Sequence, residues 1–435
     1  MKLTVFKAGK GDCLLVTGSD GTNILVDGGM RPDYRAHVAG ALGSLAEEKK
    51  RLDLVYVSHI DRDHISGVLQ LMDDVVAWRV FDFQRRRRNT RFPEPQRPRP
   101  PKIANLWHNG FHDQVRDNRG EIEDALAARA SILAASNDEG LQELAPLDRE
   151  LATSIREGLE LSDRVSPEQL GIPLNKQFDG KLALVRDGGR PVRLGKLRLS
   201  VIGPFRQDLD ALRREWNEWL ETHRDQLVSL RRRMDADAGR LASNEIAALN
   251  EPLELAAQEL GDRSRVTVPN LASLMLHVEE DGRTLLLTGD GHGTDILKGL
   301  EKTGKLDDDG RIHVDVFKVQ HHGSEHNVDA AFLQRVSGDA YVFCANGEHA
   351  NPDVRVVEAV IESRLGPARS RNGHATADAS FALHFNSSAA AAPGDREREH
   401  MRQVEKVVKD AARRSSGKLT YSFLEGQSSF ALDVA

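Results

Sequence analysis

Ser58-His59-Ile60-Asp61-Arg62-Asp63-His64 follows the apolar, β-branched run Leu52 to Val57, and the reading of this stretch decides the fold. The run has the pattern of a strand buried on both faces. A helix is expected to start within the hexad 59–64 and to continue to Met72. His59, Asp61, Asp63 and His64 then put four potential metal ligands on one strand-to-helix turn. On such a turn, residues i and i+2 can face one ion, and the pair on the first helical turn can face a second. Imidazole together with carboxylate suits zinc, manganese or iron. Two ions roughly 3.5–4 Å apart would clamp an in-line displacement at phosphorus or activate water for attack on a carbonyl. A divalent cation lowers the pKa of a coordinated water to about 7. The bland reading is a helix-capping Asp-His pair; the buried-type strand ahead of the whole hexad favours metal.

Strand and turn alternate around this stretch. Met1 to Lys7 and Cys13 to Val16 read as strands, and Asn23 to Val26 returns after Ser19-Asp20-Gly21 and ends in Asp27-Gly28-Gly29. A helix is expected from Tyr34 to Glu48. Gln84 to Lys102 is Arg- and Pro-rich and reads as an extended solvated loop. Residues 120–161 look helical. Lys181 to Val201 returns to a β-pattern. Leu209 to Met234 and Ser243 to Leu260 read as a helical hairpin whose stripe includes Trp216 and Trp219. Further strands are expected at Leu271–Val278, Arg283–Leu287, Val314–Val319, Ala340–Cys344 and Ser380–Phe385. Ala389 to Gly394 reads as a linker, Arg396 to Arg414 as a charged helix, and Leu419 to Val434 as a last hairpin.

Polar residues therefore follow strands four times, at Asp27, at His59 to His64, at Asp290 and at His321, the placement by which open α/β sheets build ligand sites. Alone, Asp290 in Thr-Gly-Asp-Gly reads as a turn residue, and His321-His322 is an ambiguous metal signal. Their combination with the hexad raises both.

Composition limits the rest. The chain has 435 residues, 39% hydrophobic and 29% charged, a soluble globular balance with enough apolar residues for a core. No apolar stretch is long enough to span a bilayer, and the N-terminus reads straight into a strand rather than a secretory signal. Two cysteines, Cys13 and Cys344, exclude a disulfide framework and point to the cytoplasm; both read as small buried side chains. A net charge of −7 gives no general attraction to nucleic acid or to an anionic membrane.

Gly9-Lys10-Gly11-Asp12-Cys13, Leu25-Val26-Asp27-Gly28-Gly29, the hexad, Leu287-Thr288-Gly289-Asp290 and His321-His322-Gly323-Ser324 resemble, in this order, the motifs of metallo-β-lactamase-fold hydrolases. The branch most resembled is the metallo-β-lactamase-like domain of DNA-uptake competence proteins (ComEC-like), where Asp stands at the position of Asp61. The resemblance implies an α+β fold, an αββα sandwich with helical insertions and metals at one edge. It implies His59 and Asp61 on one ion, Asp63, His64 and His321 on the other, and Asp290 bridging. Asp27 would orient the hexad loop. Asp12, His322 and Ser324 would lie near the metals or the substrate. The family's further His before the bridging Asp is absent: Asn270 stands nearest, and His292 is a weak substitute. His277 reads as structural. His349 and Asn351 fall where this branch carries a Gly-His-Pro element; either would contact a scissile phosphate, and His349 would serve as general acid.

The expected organisation is a split core, 1–84, 171–204 and 263–387, interrupted by insertions at 85–170 and 205–262 and followed by a C-terminal helix and hairpin at 388–435. The expected function is a metal-dependent hydrolase, a phosphodiesterase or nuclease using metal-activated hydroxide with Zn²⁺ or Mn²⁺, in which Asp63, Asp290, His349 and Asn351 act on the substrate. The acidic chain favours a short nucleic acid or a nucleotide over long duplex. Two alternatives stand: a metallohydrolase of a lactone, thioester or β-lactam, and a non-catalytic partner-binding protein. The 84–102 tract reads as a solvated loop or partner-binding segment, or as a phosphate-binding arm. The 205–262 insertion reads first as a helical hairpin whose Trp216/Trp219 stripe packs on the core or on its own partner helix; the sharper readings are a surface for a second copy or a protein partner, or a lid over the metal edge.

Overall fold

A strand's period of two sorts alternate side chains to opposite faces. In β1 (Lys2–Phe6), β2 (Leu14–Thr17) and β3 (Asn23–Val26), Leu3, Val5, Leu14, Val16, Ile24 and Val26 enter one core while Phe6, Leu15 and Leu25 enter another. The computed structural model describes residues 1–109, 157–158, 160–207, 209–210, 273–374 and 379–434. The helices expected over 120–161 fall outside these residues except at their last positions, and the helical hairpin with Trp216 and Trp219, the rest of the 205–262 surface and Asn270 fall outside as well.

The expected strand 52–57 divides at Asp53 into β4 (Arg51–Leu52) and β5 (Leu54–Tyr56). β6 (Lys102–Ile103) pairs with β4 in a small separate sheet, and β7 (Leu106–Trp107) pairs with β5. Across 181–201 the regular strands are confined to β8 (Val192–Leu194) and β9 (Leu197–Gly203); the segment before them is irregular. β10 (Met275–Glu280), β11 (Arg283–Leu287), β12 (Ile312–Lys318), β13 (Val336–Phe343), β14 (Phe381–Phe385), β15 (Leu419–Phe423) and β16 (Ser429–Asp433) complete the set. One six-stranded sheet has the order β16-β1-β2-β3-β5-β7, and one eight-stranded sheet has the order β15-β14-β13-β12-β11-β10-β9-β8.

The apolar faces show what each sheet packs on. Leu3, Val16, Ile24 and Tyr56 share a core with Leu199, Leu276, Val278 and Leu285, so the two sheets pack against each other. Phe6, Leu25 and Val55 pack on Val38, Leu42, Ile65, Val68 and Met72 from helices. Phe317, Tyr341, Phe343 and Leu383 of the larger sheet pack on Ile296, Leu300, Val357, Val360, Val404 and Val408 from helices. Burial on both faces is why the strands read as continuous apolar runs.

Three expectations fail here, each for a physical reason. The last two strands do not form a hairpin: β15 runs parallel to β14 and β16 antiparallel to β1, so they close the edges of different sheets. Each free edge offers a row of unpaired backbone groups, and five residues suffice to step between them. Ala389 to Gly394 is not a linker, because Ala389 and Ala392 are buried on Met401 and their small side chains let the chain pack closely. The helix that starts at the hexad spans Arg62–Arg86 rather than stopping at Met72. The Arg/Pro tract is fastened to that helix. Arg99 makes two 2.7 Å bonds to Asp82 and lies over the Trp78 ring, and Arg97 pairs with Asp74. Among the described residues no helix is long and apolar enough to cross a membrane.

Candidate metal centre

Strand ends and the β1–β2 turn deliver the centre. Asp27 follows β3, His59 to His64 follow β5, Asp290 follows β11, and His321-His322 follow β12; Asp12 comes from the turn before β2. The loops approach so closely that only glycine fits between them. A Cβ on Gly28 would stand 2.3 Å from Val68 N, and one on Gly11 would stand 1.8 Å from Asp63 O. Asp27 and both histidines 321 and 322 have positive φ, a conformation held only where surrounding contacts over-determine it.

Each imidazole is fixed through Nδ1. His64 Nδ1 donates to Asp27 Oδ2 at 2.9 Å, and His322 Nδ1 donates to the Cys344 carbonyl at 2.8 Å. Ser58 Oγ donates to Asp27 Oδ2 at 2.8 Å, which leaves its lone pairs for His59 Nδ1 at 3.0 Å. Asn327 Nδ2 donates to the Asp290 carbonyl, so its Oδ1 accepts from His321 Nδ1. Acceptors that fix Nδ1–H leave Nε2 as the lone-pair nitrogen, the arrangement usual around metal-ligating histidines.

The Nε2 atoms converge on Asp290. His59 Nε2 lies 3.6 Å and His322 Nε2 3.5 Å from Asp290 Oδ2, and His64 Nε2 lies 3.4 Å from Oδ1. His322 Nε2 is 3.1 Å from Asp63 Oδ2, and His59 Nε2 is 3.4 Å from Asp61 Oδ2. Three of these nitrogens, together with Asp290 Oδ1, are buried with no hydrogen bond of acceptable geometry among the described residues. Orphaned buried polar atoms are costly, and a divalent cation satisfies all of them at once. Two overlapping groups have ligand spacing: His59, His64 and Asp290, and Asp63, His64 and His322. The residues fit a metal.

Asp61 occupies the N-cap position of the 62–86 helix but makes no capping bond; its carboxylate turns to His59 instead. Burial alone would raise the carboxyls of Asp63 and Asp290. Neighbouring imidazoles, His322 and His64 foremost, more than offset it and hold both well below the usual carboxylate range. Burial alone would likewise depress His64 and His322. The Asp290 carboxylate, with Asp27 beside His64 and with Asp12 and Asp63 beside His322, lifts both, His322 to about 10. Protons on the imidazoles thus balance the carboxylates, and a binding cation displaces them.

The structure redistributes several of the roles that the motifs suggest. His322, expected beside the centre, enters it, with its side chain only 7% exposed. His321, expected as a ligand, stands at the rim, its side chain 26% exposed and its Nε2 3.8 Å from Asp290 Oδ2. The successive left-handed residues of the His-His-Gly turn swing the second ring inward. Asp12 and Asp27 sit behind the imidazoles. Ser324 closes the turn by accepting from His326 N, and Asn351 accepts from Gly347 N through its carbonyl. His349 is exposed, 3.3 Å from Lys10 Nζ on the Gly9–Asp12 turn. His292 caps the Gly293–Lys302 helix, and His277 is buried in β10 with its pKa depressed by burial to about 4. Sequence reasoning missed Lys318, fully buried against Asp12; a lysine ending an apolar strand was the available signal.

Residues 7–77 match the family model described as Metallo-beta-lactamase superfamily. The match takes in the Gly9–Asp12 turn, Asp27 and the hexad, while Asp290 and His322 lie beyond it. No curated protein matches the chain.

Proposed function

We propose that this chain is a divalent-metal-dependent phosphodiesterase or nuclease, built on a metallo-β-lactamase-like αββα sandwich. A metal-dependent hydrolase is the reading carried by three buried imidazoles, His59, His64 and His322, each with Nδ1 committed and Nε2 facing Asp290. His59, His64, His322, Asp63 and Asp290 would hold one or two ions, with Asp61 and His321 on the more open side. Zinc and manganese both suit this mixture of imidazole and carboxylate. A divalent cation bound there supplies Lewis acidity toward water and toward a phosphoryl oxygen.

The protein side chains do the rest. Asp27 and Ser58 hold His64 and His59 in the ligating tautomer. Asp63, kept ionised, accepts a hydrogen bond from the attacking water. Asp290 fixes the separation of the imidazoles around it. Lys10, on the turn that carries Asp12, and His349 beside it would offer N–H donors to a non-bridging or leaving oxygen. Such donors would suit an anionic phosphodiester better than a neutral ester, which favours a short nucleic acid or nucleotide as substrate.

The deciding experiment combines metal analysis of the purified protein with a substrate panel: bis-p-nitrophenyl phosphate, single-stranded oligonucleotides, cyclic dinucleotides, a lactone, a thioester and a β-lactam. Hydrolysis of phosphodiesters that is abolished by chelator and restored by Mn²⁺ or Zn²⁺ is the expected result. Metal-dependent turnover confined to the carbonyl compounds would overturn the substrate class. No bound metal and no turnover would overturn the hydrolase itself.

A further inference from the structure

Lys318 is the last residue of β12, and its side chain is only 1% exposed. Its ammonium pairs with Asp12 Oδ2 and donates at 3.2 Å to the carbonyl of Gly289, the residue before Asp290. Thr288 Oγ1 in turn donates to the Lys318 carbonyl. A buried lysine ordinarily loses its proton. Here the Asp12 and Asp290 carboxylates outweigh burial and raise its pKa, so it stays charged.

A third trio, Asp12, Asp27 and His64, also has ligand spacing. Its atoms differ from those of the other two. Asp12 Oδ2 carries the lysine ammonium. Asp27 Oδ1 accepts from Ser58 N at 2.7 Å, and its Oδ2 accepts from Ser58 Oγ and from His64 Nδ1. The side of His64 facing this trio is therefore the one already committed to a hydrogen bond, unlike Nε2 opposite, which has none among the described residues. Asp12 also lies 3.4 Å from His322 Nδ1 and 3.9 Å from His64 Nδ1, so its charge favours the Nδ1–H form of both rings.

We propose that Lys318 is a positioning residue that serves as a built-in cation: its ammonium takes the place of a metal ion at the Asp12 side and holds Asp12 as the carboxylate that orients His64 and His322, confining divalent metal to their Nε2 side. The inference rests on the metal-centre reading above. By seating the Gly289 carbonyl it also fixes where the Asp290 carboxylate stands.

Two experiments test it. In the first, wild-type crystals soaked in Mn²⁺ are examined by anomalous diffraction. Peaks are expected only among the Nε2 atoms, Asp63 and Asp290; a peak bonded to Asp12 and Asp27 overturns the proposal. In the second, Lys318→Met is combined with Asp12→Asn, because Lys318→Met alone strands a buried carboxylate and is expected to fold poorly. The neutral pair is expected to melt close to wild type when stripped of metal, to bind Co²⁺ about 10–100-fold more weakly, and to give an altered Co²⁺ absorption spectrum. Unchanged affinity and spectrum would make the pair structural only and overturn the proposal. Should the double variant not fold, the anomalous map decides. Wild-type protein that binds no divalent cation overturns the metal-centre reading, and this inference with it; metal confined as expected but bound equally well by the double variant overturns this inference alone.

Discussion

His64 is gripped by Asp27 on one side, with Nδ1 2.9 Å from the Asp27 carboxylate, and left bare on the other, where Nε2 faces Asp290. Asp27 makes this possible at a conformational cost, since its φ is 54°. One carboxylate thereby aligns two imidazoles, His64 directly and His59 through Ser58 Oγ.

Asp27→Asn follows from that relationship. The asparagine keeps the size but loses the charge and one acceptor, so both rings gain freedom while every proposed ligand remains. Metal affinity is expected to fall about 10–100-fold, with a smaller loss from Ser58→Ala, which frees only His59. Titration with a competing chelator measures both. Wild-type affinity in Asp27→Asn would contradict the orienting role.

His322 and His321 are neighbours in sequence with opposite expected effects. His322→Ala removes a buried Nε2 that stands between Asp63 and Asp290, and is expected to remove the metal bound there along with turnover. His321→Ala removes a half-open rim group and is expected to leave most of the metal in place. Equal metal loss in both variants, measured by elemental analysis after dialysis, would refute the assignment.

Much of this was legible in the sequence, for a local reason. Apolar runs ending in Asp or His mark strands that lead into polar loops, and four such strand ends, with the Gly9–Asp12 turn, had to come together. What was not legible depended on distant partners. Whether His321 or His322 points inward is set by successive left-handed residues, not by strand period. Lys318 looks like a strand end until Asp12, from the far end of the chain, is placed on it. Leu419 to Val434 has the spacing of a hairpin, yet its two strands are claimed by sheet edges that the local pattern does not reveal. The 62–86 helix outlasted its expected end because Trp78 and the Arg/Pro tract pack along its second half.

The pH dependence of stability follows from the shifted groups. His322 is raised from 6.5 to about 10, so its contribution is complete below about pH 6.5 and is lost as pH rises through 10. Asp63 and Asp290 are lowered, so theirs is complete above about pH 4 and is lost on acidification. Chelator-treated protein should therefore melt highest between about pH 4 and 6.5 and lose stability steadily toward pH 10. With metal bound the imidazoles have released their protons, and the alkaline decline should flatten. A melting temperature of chelator-treated protein that does not change from pH 6 to pH 10 would show that His322 carries no such proton.

Gly67 tests whether the backbone approach, rather than any ligand, sets the centre. Replacing a helical glycine with alanine normally stabilises by about 0.5–1 kcal/mol. Gly40, in the Ala39–Glu47 helix, has nothing within 4 Å of an added Cβ, and Gly40→Ala should show that gain. At Gly67 the added carbon would stand 2.0 Å from Gly28 O and 2.5 Å from Gly28 C, both backbone atoms of the loop that carries Asp27. The loop must retreat, and overpacking of this kind costs about 1–3 kcal/mol, which outweighs the helical gain. The retreat would also draw Asp27 away from His64 and Ser58, so Gly67→Ala should weaken metal binding although no polar group has been altered. Thermal melts and chelator titrations of the two alanine variants side by side give the answer: opposite signs in stability, and loss of affinity only at 67. If Gly67→Ala proved as benign as Gly40→Ala, the close fit between the Asp27 loop and the helix would not be what positions the imidazoles.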